Sequence, residues 1–437
     1  MKKLLSIIGA GSLIATSATS VVACGVTKYT SIYLVSDVGK INDRSFNESA
    51  YNGSNKFLKE QLKVEDSVIA HLTPNSTSEI QKNYATARKN GAQALVLPGF
   101  AHQEHIEEAS KVMGDSSTGS VIFLDGTSAG NENVIGIQFK SEMSGFYSGV
   151  ASILYKISTS KDEITNVKLS AFGGLHNATG VTNFISGYMA SIDFVNQLKK
   201  DSPETLTSLI KILNKDKSEA NFGKAERIAS QNSAPTSDTD KNWFSGSFAV
   251  GGGKPTAETQ VEQGADIIFP VAGPQTEDTL NTIKSKKKAG EVFVVGVDTD
   301  QVQLYSNYKD YFVTSATKRL EESTQAALAN SKAFADKLSD EEKSKFEGKD
   351  KEGNVLTGAW DGKDVWFDGD FSSGGNNKIT DQNHKELIEK LSAAGVALSA
   401  YYHTNIGTKE SAKDILDTKA IANMADAAVK AIKKDNI

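Results

Sequence analysis

Short apolar runs alternate with amphipathic segments of helical length along most of this chain, and that rhythm admits few folds. Ile32 to Val35, Ser67 to Leu72, Ala94 to Leu97, Ser120 to Leu124 and Val134 to Phe139 read as strands. They are short, rich in β-branched residues and closed by Gly, Pro or Asp. Gly53 to Lys63 and Ser76 to Gly91 place apolar residues three and four apart and read as helices, the second closed by Gly91. A second series begins with a helix rich in small residues, Met143 to Tyr155, suited to close packing. Strands are predicted at Val167 to Phe172, Asn242 to Phe248, Ala265 to Val271, Val292 to Val297 and Tyr311 to Thr317, with helices at Ala257 to Gln263 and Glu277 to Lys286. Strands joined by helices form βαβ units and parallel sheets. Two such series, in 437 residues of which 38% are hydrophobic, are enough for two cores. Beyond them lie a long Ala-rich helix, Leu320 to Leu338, and a polar stretch from Ser339 to Asn377 with β signals around Val365 to Phe367. Further helices are expected at His384 to Ala394 and Asp417 to Lys433. Residues 200–240, rich in Lys, Ser, Asp and Asn, read as a long insertion or mobile surface segment.

Lys2 and Lys3 precede an apolar run, Leu4 to Val22, interrupted by Gly, Ser and Thr, which has the form of a secretory signal over residues 1–23. The run ends in VVAC, whose cysteine, Cys24, is the sole cysteine of the chain. No internal disulfide can form, and an acylated Cys24 would anchor the protein to a membrane. The net charge of -6 and the lack of a basic stripe argue against nucleic acid as a partner. Lys284 and Lys286 to Lys288 form the densest basic run, best read as a solvated helix end.

Chemistry-bearing residues gather where strands end. After the first strand, Asp37, Asn42, Asp43, Ser45, Phe46 and Asn47 offer carboxylates, amides, a hydroxyl and a ring at the start of a helix. A capped helix with Phe46 in the core accounts for the same residues, and the stretch alone does not choose between the two. Asp125 closes the fourth strand, Phe172 precedes Gly173-Gly174, and Asp298 ends the apolar VFVVGVD, where a carboxylate can accept from a ribose diol or cap the next helix. Lys318 follows a strand and brings three donors. GGGKPT, Gly251 to Thr256, lacks the spacing of a phosphate loop and reads as a glycine-lined approach at a helix N-terminus or as ordinary turns.

DVGKINDRSFNESAYNG resembles the opening motif of the basic membrane protein family, lipoproteins that serve as substrate-binding components of ABC transporters. LSAFGG with VTNFISGY, WFSGSF, GADIIFPVAGP, VVGVDTDQ and YFVTSATKR are similar to further blocks of that family, in family order from Ser31 to Ser323. The resemblance implies an α/β, two-lobed type I periplasmic-binding-protein fold, each lobe a parallel sheet flanked by helices. The lobes are expected at 24–140 with a return segment near 312–340, and at 141–311 with a return near 341–400; residues 401–437 form a helical extension. It also implies capture of a nucleoside such as guanosine, inosine or adenosine for an ABC permease, with no cofactor, no metal and no catalysis. Carried over by position, Phe46 and Phe248 would stack on the base, with Phe172 the second choice for the latter ring. Asp298 and Lys318 would hold the ribose, while Asn42, Asp43 and Asp125 would read the remaining edges and Gly273 would admit backbone amides. SFAVGGGK departs from the family in lacking the acidic residue two positions after the ring, which bears on ligand preference. The rival readings are a sugar-binding relative, a nucleoside hydrolase with a calcium-binding aspartate cluster, and an adhesin-type lipoprotein. The DTDPGxDD pattern of the hydrolase is missing.

Overall fold

The computed structural model describes residues 27–37, 39–114, 118–373 and 378–435, so the expected signal and Cys24 lie outside the described residues. In chain order the first lobe is built from β1 (Thr27–Val35), α1 (Phe46–Lys56), β2 (Ser67–Leu72), α2 (Ile80–Lys89), β3 (Ala94–Pro98), α3 (Ile106–Met113), β4 (Ser120–Leu124) and β5 (Val134–Lys140). The second contains α4 (Ser141–Thr159), β6 (Thr165–Gly173), α5 (Thr182–Asp201), α6 (Pro203–Leu213), β7 (Phe222–Arg227), α7 (Lys254–Glu262), β8 (Ile267–Val271), α8 (Thr276–Ser285), β9 (Phe293–Asp298), α9 (Gln301–Leu304) and β10 (Phe312–Thr317). The remainder supplies α10 (Leu320–Ala329), α11 (Asp340–Ser344), β11 (Asp364–Asp368), β12 (Asp370–Phe371), α12 (Asp381–Asn405), α13 (Ala412–Ile415) and α14 (Thr418–Asp435).

The strands form two six-stranded sheets, ordered β11-β5-β4-β3-β1-β2 and β12-β10-β9-β8-β6-β7. The orders correspond strand for strand, so the second sheet repeats the first. All strand pairs are parallel except β10 with β12. Every residue of β3, β4, β8 and β9 is buried, as expected of strands covered by helices on both faces. In α2 the buried Ile80, Tyr84 and Ala87 repeat at helical spacing, and Gly91 follows with φ of 101°. One extensive core joins α4 and α5 to the second sheet and to α12 and α14; separate cores lie on the two faces of the first sheet.

Several expectations are corrected. The 200–240 segment is built into the second lobe: α6 packs in its core and β7 pairs with β6 along half of its length. Asn242 to Phe248 is a loop, because β7 and β8 already occupy both edges of β6; Trp243 and Phe244 instead bury their rings, and Phe244 makes one isolated bridge to Gly173. The Ala-rich helix ends at Ala329, and the chain turns so that Phe334 and Leu338 enter the first-lobe core. The return segments also differ. β10 belongs to the second sheet, and it is α10 with the turn after it that packs on the first lobe, whereas β11 joins the first sheet beside β5. The chain thus passes between lobes three times, at Lys140–Ser141, between β10 and α10, and at Gly369 between β11 and β12.

Candidate functional site

In each lobe the strand order reverses between the first and third strands, and ligands of open α/β sheets bind at the C-terminal ends beside such a reversal. A cavity of about 1220 Å³ lies there, between the lobes. Asp37, Asn42, Asp43, Ser45, Phe46, Asn47, Asp125, Phe248, Gly273, Asp298 and Lys318 all line it, whereas Phe172 and the Gly251–Thr256 stretch do not. Phe172 is fully buried in the core beneath the second sheet with Ile228, Ala257 and Ile268. Side chains alternate along a strand, and the register of β6 turns this ring into the core.

The stretch between β1 and α1 is organised by Asp43. Its carboxylate accepts from the backbone N–H of Ser45 (2.9 Å), Asn47 (3.0 Å) and Glu48 (3.1 Å), and from the Asn47 side-chain amide (3.0 Å). Burial raises its pKa against the opposing pull of these donors. Asp43 is thereby a cap that aims α1, and with it Phe46, into the cavity. Asn47 is buried, and its Oδ1 has no hydrogen-bond partner among the described residues. Asn42, by contrast, is exposed at the rim.

Lys318 is the node of the deeper part, its side chain only 1% exposed. Nζ lies 2.6 Å from Asp125 Oδ2, donates to the Gly180 carbonyl at 3.2 Å, and stands 3.7 Å from Asp298 Oδ1. The ring centroids of Phe46, Phe184 and Phe139 lie 4.9, 5.1 and 5.7 Å from the ammonium. Asp125, expected with Asn42 and Asp43 to read the remaining edges of a ligand, is the closest charge partner of Lys318. Burial outweighs that partner and pushes the Asp125 carboxyl up to about 6. Asp125 and Asp298 end equivalent strands, β4 and β9, and both take left-handed conformations, with φ of 65° and 67°. Arg44, also on the cavity wall, does the same at 54°. Such conformations cluster where a fold holds functional groups in set positions.

Contacts across the cleft hold the lobes together. Ser45 Oγ donates to Asp298 Oδ2 at 2.8 Å, and Gln301 Nε2 donates to the Arg44 carbonyl at 3.0 Å. The Arg44 guanidinium lies 5.0 Å from the Tyr305 ring centroid and 3.7 Å from Glu277. Gly273, with φ of 42°, approaches Ser45 so closely that an added Cβ would sit 3.1 Å from its side chain. Phe248 lies over Gly174, where a Cβ would fall 2.5 Å from the ring, and makes an edge contact at 6.0 Å with Phe100 of the first lobe.

Phe100, Gly180, Val181, Glu277 and Tyr305 also line the cavity and were not among the candidates. Phe100 had a signal, since it follows β3 just as Asp125 follows β4. Gly180 contributes a backbone carbonyl, which no residue pattern marks. The triglycine is corrected: the N–H groups of Gly251 and Gly253 donate to the Asp278 carboxylate at 2.8 and 3.0 Å, and the cavity wall is formed by Ser247 to Val250 just before them. Asp300 is occupied by Gln303 and Ser372 and does not line the cavity. Among the described residues no group of three or more His, Cys, Asp or Glu side chains is placed to hold a metal.

A family profile described as ABC transporter substrate-binding protein, PnrA-like, matches residues 31–200 and 242–340. A Lactococcus lactis subsp. cremoris protein, ABC transporter nucleoside-binding protein BmpA, is 25% identical over 62% of this chain and 64% of its own length, so the match spans just under two thirds of that relative. An uncharacterized lipoprotein of Mycoplasma pneumoniae is 23% identical over 67% of this chain and 54% of that protein. The fold is similar to that of an ABC transporter solute-binding protein from Aeropyrum pernix K1, with a TM-score of 0.55, 16% identity, and coverage of 94% of this chain and 91% of that one. With more than half of its length matched, the chain belongs to the PnrA-like family of ABC transporter substrate-binding proteins.

Proposed function

We propose that this protein is a lipid-anchored receptor that captures a nucleoside, preferentially a purine nucleoside, between its two lobes and delivers it to an ABC permease. The observation that carries this reading is the content of one cavity: phenyl rings from different lobes, Phe46 and Phe248, with the Asp125–Lys318–Asp298 set deep inside. A flat base has two ring faces to stack on. Lys318 has used two donors on Asp125 and Gly180, and Asp298 Oδ1 stands beyond hydrogen-bond distance from it. A diol placed between them takes the remaining donor and offers its hydrogens to the carboxylate. The open acceptor of Asn47 suits an N–H on the base edge. The relative named for nucleoside binding supports the same ligand class.

The test is mass spectrometry of whatever small molecule co-purifies, followed by thermal unfolding with added nucleosides, since a ligand of the folded state raises its stability by mass action. Co-purifying nucleoside and a raised midpoint are expected. A co-purifying sugar, with no response to nucleosides, would move the assignment to the sugar-binding relatives. Turnover of inosine or adenosine at enzyme-level rates would favour a hydrolase.

The anchor is proposed from VVAC and from the lipoprotein among the relatives. No helix among the described residues is long and apolar enough to cross a membrane. Cys24→Ala should release the protein into the soluble fraction on cell fractionation, and unchanged membrane retention would exclude acylation as the anchor.

A further inference from the structure

The C-terminal extension lies beyond the residues matched by the family profile, and none of it lines the cavity. It nevertheless bonds to the loop that does. Tyr402, on α12 and only 2% exposed, donates its hydroxyl to the Ala178 carbonyl at 3.0 Å. Eight residues later the Glu410 carbonyl meets His176 Nε2 at 2.6 Å, while His176 Nδ1 lies 2.7 Å from Thr182 Oγ1. A carbonyl can only accept, so Nε2 carries a hydrogen here. The Ala412 N–H donates to Asp238 at 2.8 Å, in the segment leading to the Phe248 loop. Two of the second-lobe segments that wall the cavity, the 175–181 loop and the stretch leading to 246–250, are thus tied to the same extension.

Between these ties the loop is shaped by Asn177, whose carbonyl accepts from Val181 and Thr182 and whose Oδ1 accepts from the Gly180 N–H at 2.6 Å. The product of that shape is the Gly180 carbonyl, the second acceptor of Lys318. Gly180 is also close to the first lobe, since an added Cβ would lie 3.0 Å from Asp125 Oδ2. A shift of the loop therefore changes the surroundings of the buried ammonium and of the carboxylate facing it.

We propose that Tyr402 and the Glu410 carbonyl are positioning groups that hold the His176–Val181 loop in its ligand-competent shape, so that the extension sets affinity without touching the ligand. This rests on the nucleoside reading above. Without the Tyr402 hydroxyl the Ala178 carbonyl loses its partner and the loop samples other shapes.

The test compares full-length Tyr402→Phe, His176→Leu and His176→Gln with Ile421→Val, which trims the buried core of α14 without touching the loop. Inosine affinity is measured by calorimetry, stability by thermal unfolding, and amide hydrogen exchange over 176–182 by mass spectrometry. Tyr402→Phe should weaken inosine binding about threefold to tenfold, the range of one lost hydrogen bond, and speed exchange in the loop. His176→Leu should do the same. His176→Gln, which keeps a donor and an acceptor, should recover part of the loss, and Ile421→Val should lower stability with affinity and loop exchange unchanged. Unchanged affinity in Tyr402→Phe, or losses that follow stability equally in Ile421→Val, would overturn the proposal. If the unaltered protein ignores inosine, guanosine and adenosine alike, the purine-nucleoside reading fails instead. Loop exchange then still decides the tie: faster exchange in Tyr402→Phe retains it and unchanged exchange refutes it.

Discussion

Lys318 shows how much chemistry a single side chain can gather when a fold buries it between unlike partners. On composition alone a lysine belongs on the surface, yet this one meets two carboxylates, a carbonyl and three ring faces. Its partner Asp125 carries a testable consequence. With the folded pKa raised from 3.8 to about 6, the folded protein holds this proton better than the unfolded chain does. The contribution to stability is therefore fully present below pH 3.8 and is lost as pH rises through about 6. Against Asp125→Asn, which cannot titrate, the unaltered protein should lose up to about 3 kcal/mol across that window, read by denaturant unfolding at stepped pH. Relative stability that instead rises with pH through 3.8 would mean that Lys318 keeps Asp125 ionised in the folded state, and a constant difference would mean that folding leaves its pKa unchanged. The rings proposed to stack on the base are equally open to test. Phe46→Ala or Phe248→Ala should cost about 1–3 kcal/mol of nucleoside affinity, roughly tenfold to hundredfold in Kd by calorimetry. At this scale the sequence was most legible where a side chain follows a buried strand, as for Asp125, Asp298 and Lys318. It was least legible for Phe172, because one residue of strand register decides whether a ring faces the ligand or the core.

The elements divide in the same way. Strands such as β4 and β9 are continuous apolar runs, and their local signal needs no tertiary partner to be read. β7 could not be found so directly: KAER is polar enough to pass for loop and becomes strand by pairing with β6, whereas the β signals around Val365 to Phe367 fall on β11, which pairs with β5. The close approach of α4 and α5 was foreshadowed by the small residues of Met143 to Tyr155 in α4. At Gly187 an added Cβ would sit 1.9 Å from the Glu142 carbonyl oxygen, so the helices can approach only if that position stays bare. Gly187→Ala should destabilise the protein by about 1–3 kcal/mol in denaturant unfolding, as overpacking does, and a neutral result would mean that the helices can part at little cost. α12 adds a pH-dependent tie to the crossing strands. His384 Nε2 lies 2.9 Å from Asp370 of β12, and that hydrogen bond raises the imidazole pKa above 6.5. The stabilisation is fully present below pH 6.5 and fades as pH rises through the raised value. His384→Gln should therefore narrow its stability gap to the unaltered protein on going from pH 6 to pH 9, as followed by thermal unfolding.

The whole molecule is a pair of matching sheets whose strand ends face each other, crossed three times by the chain and closed by contacts such as Ser45 with Asp298. The two-lobed plan was legible because two strand–helix series follow one another. The crossings were not: β10 stays beside its chain neighbour β9 while β11 pairs with β5, more than two hundred residues away, and neither assignment is marked within the strand itself. On the proposed reading a nucleoside would complete its site from both lobes, and its two ends would meet different chemistry: rings for the base, and the Asp298–Lys318 pair for the sugar. Calorimetry with a nucleoside and with its free base, on the unaltered protein and on Asp298→Ala, tests that division most directly. Removing Asp298 takes away the acceptor for the diol and the second carboxylate beside Lys318, so nucleoside affinity should fall about tenfold to hundredfold. The free base, which has no diol, should lose far less. Equal losses for nucleoside and base would contradict the account.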